Sequence, residues 1–133
     1  MPSNVFRFQV HNERLAIARL APDSPFPDWA RGGFVNLART HAELSIVCAQ
    51  KNVPATVLHE RDKIALGIEG SVPMTSIGIL AALCAALAKA QVPVFVISTY
   101  DTDWLLVSAG RFDAAREALG AAGHSLIGGL PEV

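Results

Sequence analysis

The polar hexad Ser98-Thr99-Tyr100-Asp101-Thr102-Asp103 stands between two apolar runs, 94–97 and 104–107. Hydroxyls and carboxylates grouped in this way can hold a cationic ligand group. The same residue types also make the local hydrogen bonds of a turn. Both readings are open for the hexad. A second stretch, GSVPMTSIG at 70–78, precedes an apolar helical pattern. A helix start offers free backbone N–H groups and a partial positive charge, which suit an anion. Thr75 or Ser76 is expected to cap this helix. Gly78 either lets a carboxylate approach the backbone or allows close packing of helix on sheet. A small molecule with a carboxylate and an ammonium a bond apart needs both features: a helix N-terminus for one charge, and Asp101 or Asp103 for the other.

Other chemistries lack their residue patterns. The histidines are His11, His41, His59 and His124, and none pairs with another ligand type at metal spacing. No nucleophile elbow or phosphate loop occurs, and GIEG at 67–70 lacks the third glycine of a dinucleotide fingerprint. No catalytic residue, metal or cofactor is expected. Cys48 and Cys84 lie inside apolar runs and are expected to be buried and unreactive.

The elements that position these residues must come from 133 residues, 51% of them hydrophobic and 17% charged, which allows a real core. With a net charge of −1 there is no basic field for nucleic acid or an acidic membrane. The N-terminal MPSNVFRFQVHNERLA has no apolar signal region, and the longest apolar run, 77–88, is too short to span a bilayer. The expectation is a cytoplasmic protein with reduced thiols, bound to neither nucleic acid nor membrane.

Along the C-terminal half, 63–69 reads as a strand and 76–90 as a helix with Leu80, Leu83, Cys84 and Leu87 on one face. Strands at 94–99 and 103–108 follow, then a helix at 111–122 and a short strand at 124–127. Gly123 suits the position just past that helix. The order is the βαββαβ pattern of ferredoxin-like folds. The N-terminal half repeats part of it. A shift of 60 sets 34–37 against 94–97 and Glu43–Ala49 against Asp103–Ala109. A shift of 51 sets 17–22 against 68–73. The missing residues fall where a first helix belongs, and there DSPFPDWARGG supplies about one turn at most, since Pro25 and Pro27 restrict it. The fold class predicted is α+β: two ferredoxin-like modules, 1–61 and 62–133, the first with an eroded helix.

FVNLARTHAELSIVC at 34–48, the segment 68–107 and the helix at 111–122 resemble the ACT domain family, in the tandem form of small bacterial proteins related to aspartate kinase regulatory modules and to cytosolic arginine sensors. The resemblance implies a non-catalytic regulatory or sensor protein that binds an amino acid or related small metabolite, and pairing as a homodimer. It implies ligand walls at the strand-to-helix loop (Thr75, Ser76, Gly78 and Ile79) and at the strand corner (Thr99, Tyr100, Asp101 and Asp103). Ser76 stands where the arginine sensors carry an acid, which speaks against arginine. The alternative is a dimerising scaffold without a ligand.

Overall fold

The computed structural model describes residues 5–133. In chain order its strands are β1 (Arg7–Val10), β2 (Leu15–Leu20), β3 (Asn36–Arg39), β4 (Leu44–Ala49), β5 (His59–Ile68), β6 (Phe95–Ser98), β7 (Asp103–Ser108) and β8 (Ser125–Ile127). Two helices, α1 (Ile79–Lys89) and α2 (Phe112–Ala121), complete it. Two compact units result. One holds residues 13–63 with Pro131–Val133; the other holds residues 5–12 with Ile64–Leu130.

In the 13–63 unit the strand order is β3-β4-β2 followed by the first half of β5. Ala16, Ala18, Leu44, Ile46, Cys48 and Val53 are buried together, with Trp29 and Val57 against them. No helix forms between β2 and β3, as the two prolines require. A bulge interrupts the β2–β5 register. There Asp62 adopts a left-handed φ of 58°. Its amide donates to Gln50 Oε1 at 2.7 Å, and its carboxylate accepts from Gln50 Nε2 at 3.2 Å and Arg14 Nη1 at 3.1 Å. These hydrogen bonds, the one from Gln50 foremost, hold the Asp62 carboxyl below its usual range.

In the 64–130 unit the order is β6-β7, then the second half of β5, then β1 and β8. Phe8, Val10, Ile64, Leu66, Ile68, Leu105 and Val107 alternate along their strands and so share one face of the sheet. Leu83 and Leu87 of α1 and Phe112, Ala115 and Leu119 of α2 bury against that face. On the opposite face Trp104 lies over Gly67, where a Cβ would come within 2.6 Å of the indole ring. Gly67 is therefore a close-approach position.

The structure departs from the sequence reading in several places. β1 was not expected. It pairs antiparallel with β5 (Phe8↔Ile68) and parallel with β8 (Phe8↔Leu126). The chain's first strand thus lies inside the later unit, between the strands that a simple βαββαβ order would place side by side. The middle boundary falls at 63/64, close to the 61/62 expectation, while residues 5–12 group with the second unit. Helix α1 begins at Ile79, not at 76, because Gly78 takes a left-handed φ of 83° and serves as N-cap. Neither Thr75 nor Ser76 caps it, since no side chain bonds the cap. Cys48 is buried as expected, and burial pushes its thiol pKa up. Cys84 is only half-buried.

Candidate ligand-binding crevice

Two segments of the 64–130 unit build a crevice of about 340 Å³. The first is the β5–α1 loop. It leaves β5 at Gly70, with φ 86°, and enters α1 at Gly78. A Cβ at either glycine would meet nothing within 4 Å, so backbone conformation, and not crowding, calls for glycine there. This removes close helix packing as the reason for Gly78. The first intrahelical bond runs from the Ala82 amide to the Gly78 carbonyl at 3.0 Å. The amides of Ile79, Leu80 and Ala81 precede it, no side chain caps them, and no acid lies in the first turn. They form the positive end of an eleven-residue helix, with Lys89 in its last turn.

The second segment is the β6–β7 turn. The Thr99 amide donates to the Thr102 carbonyl at 2.8 Å, and Thr99 Oγ1 donates to the same oxygen at 3.2 Å. Thr102 Oγ1 donates to the Ile68 carbonyl at 3.0 Å, which fixes the turn against β5. The Val72 amide donates to the Asp101 carbonyl at 2.7 Å and ties the loop to the turn. Asp103 is half-buried. It accepts a 2.6 Å bond from Ser98 Oγ. An ionised carboxylate offers about four acceptor positions, so this bond leaves capacity for an ammonium.

Of the residues singled out in the sequence, Ser76, Gly78, Ile79, Thr99, Tyr100 and Asp103 line the crevice. Thr75 and Asp101 do not line it; Asp101 takes part through its backbone carbonyl. Val72, Pro73, Met74, Leu80, Ala81, Ser98 and Thr102 also line it; Ser98 and Thr102 belong to the hexad, and Leu80 reads in the sequence only as part of the apolar helix face. Most of these fall inside the two segments already marked. Ala81 could have been found as the third residue of the helix, had its start been placed correctly.

The matching turn of the other unit corrects one equivalence. Asn36↔Val47 in β3–β4 corresponds to Phe95↔Leu106 in β6–β7, 59 residues on in both strands. The offset is 59, not 60. Thr40 then matches Thr99, and its amide donates to the Glu43 carbonyl at 2.9 Å as Thr99 does to Thr102. Glu43 is the counterpart of Thr102. The counterpart of Asp103 is Leu44, which is fully buried. A slip of one residue turns a strand's side chains to the other face, so the acid at the crevice has no equivalent in the 13–63 unit.

Among the described residues no group of three His, Cys, Asp or Glu side chains could hold a metal ion, and no helix is long and apolar enough to cross a membrane. A sheet backed by two helices on one face, with a crevice between strand-to-helix loop and hairpin turn, defines an α+β protein of ferredoxin-like plan. The family model described as ACT domain matches residues 58–121, and this part of the chain is an ACT domain. A separate model, for an N-terminal domain, matches residues 13–56. No curated protein matches the chain. A crystal structure of a protein from Agrobacterium tumefaciens is 31% identical, with a TM-score of 0.89 over 97% of this chain and 98% of that one. A Vibrio cholerae protein of unknown function, described as a possible transport protein, is 17% identical, with a TM-score of 0.69 over 88% of this chain and 89% of that one. The regulatory subunit of aspartate kinase from Thermus flavus is 12% identical, with a TM-score of 0.64 over 90% of this chain and 98% of that one. The last two share the fold.

Proposed function

We propose that this is a non-catalytic regulatory or sensor protein whose crevice takes a free amino acid or a closely related small metabolite. One observation carries the reading: a single crevice joins the uncapped start of α1 to the Asp103 carboxylate. The ligand carboxylate sits on the amides at the helix start, and its ammonium faces Asp103. The ACT domain at 58–121 and likeness in fold to an aspartate kinase regulatory subunit support it. The protein works as a homodimer in the cytoplasm. A second reading, a scaffold that docks a protein partner, draws on the exposed Met74, Ile77 and Tyr100 beside the same crevice.

A thermal melt with each of the twenty amino acids tests the first reading. A ligand at a hundred times its Kd adds about 2.7 kcal/mol. For a chain of this length the melt rises on the order of 10 °C. Asp103→Ala should remove most of that shift, and Ala81→Leu should do so by filling the crevice from an exposed helix position. Glu43→Ala, in the other turn, should leave it intact. If no amino acid moves the melt at millimolar concentration, the scaffold reading replaces this one.

A further inference from the structure

We infer that the crevice selects a neutral amino acid with an aliphatic side chain and rejects basic and acidic ones. This rests on the amino-acid reading and concerns the part of the ligand beyond its charged head. Once the head is placed, the side chain must lie against what remains of the lining. Its apolar part is Val72, Pro73, Met74, Ile79 and Leu80, beside the hydroxyls of Ser76, Ser98, Thr99, Tyr100 and Thr102. Val72, Ile79 and Leu80 also pack on the hydrophobic core, so this wall is held in place from behind. Asp103 is the one ionisable carboxylate in the lining, and no lysine or arginine lines it. With Asp103 engaged by the ammonium, a lysine or arginine side chain finds no counter-charge. An aspartate or glutamate side chain finds no cation. Either would lose hydration without a partner, and desolvating an unpaired charge is costly. The volume, about 340 Å³, lies at the small end of ligand sites and suits a compact molecule.

Titration calorimetry on the full chain, with leucine, isoleucine, valine and methionine against lysine, arginine, aspartate and glutamate, tests the selection. The aliphatic set should bind at least about tenfold more tightly than either charged set, since a mismatched buried charge outweighs a methylene or two. Asp103→Asn should weaken every amino acid that binds, because the lost interaction belongs to the shared ammonium. A basic amino acid binding as tightly as leucine, with Asp103→Asn weakening the basic one alone, would overturn the selection and leave amino-acid binding standing. Aspartate or glutamate binding as tightly as leucine would overturn it as well. Heat from none of the eight would overturn the selection together with the reading beneath it.

Discussion

At the scale of single residues, glycine has two different reasons in one short stretch of this chain. Gly67 faces the Trp104 ring, whereas Gly78 faces open space with a left-handed backbone. Both therefore resist a side chain, through separate physics. Gly67→Ala should destabilise by about 1–3 kcal/mol through overpacking, and shortening Trp104 to Leu should recover much of it. Gly78→Ala should cost about 1–2 kcal/mol through the backbone alone, with no relief from any neighbour. Urea unfolding of the single and double variants measures both; equal losses at Gly67 with and without Trp104 would refute the contact. The crevice residues were only partly legible in the sequence. The hexad and the loop were visible as clusters of hydroxyls, acids and glycines. Which members face the crevice depends on strand parity, and apolar-to-apolar matching tolerates a slip of one residue. That is how Glu43 came to stand opposite Asp103 when the true counterpart is Leu44.

At the scale of elements, periodicity revealed those that bury a face on their own. Leu83 and Leu87 marked α1, and the 3,4 spacing of Phe112, Ala115 and Leu119, which bury on the same core, is the corresponding pattern in α2. The alternation Phe6, Phe8, Val10 was present in the sequence but short, and nothing local says which strands it joins. Pairing partners are a property of the whole sheet, so β1 and its place beside β8 were not readable. The junction is secured by His124. Its ring stacks on Phe6 and meets Phe8 edge-on, and Nδ1 accepts the Phe6 amide at 3.0 Å. Burial lowers its pKa below the ordinary value of about 6.5. A depressed histidine binds its proton more weakly folded than unfolded. Its contribution is therefore complete above about pH 6.5 and declines as pH falls toward the folded value. Stability by urea titration should drop between pH 7.5 and 5.5, and His124→Phe should flatten that slope. Asp62 belongs to a lower window: its depressed carboxyl contributes above about pH 3.8 and loses that contribution below it. An unchanged slope in the histidine variant would assign the acid sensitivity elsewhere.

At the scale of the molecule, the chain carries one equipped unit and one plain one. The 64–130 unit has two α-helices and the crevice, while the 13–63 unit has no α-helix and carries Leu44 where the other carries Asp103. Within the 64–130 sheet β6 is an outer strand, paired on one side with β7, and Phe95 on it is 39% exposed. Open edges of this kind accept another strand, which is the basis for proposing a homodimer. Light scattering after size exclusion should give twice 14.1 kDa at micromolar concentration. A monomer throughout that range would remove the homodimer and leave the crevice untouched.

The most direct test of ligand placement is a residue-resolved amide titration by NMR, with leucine added to the labelled protein. Ile79, Leu80 and Ala81 at the start of α1 should move together with the Thr99–Asp103 turn, while the Thr40–Glu43 turn stays still. Saturable shifts confined to other residues, with the amides at the start of α1 unmoved, would contradict a carboxylate held by that helix and place the ligand elsewhere.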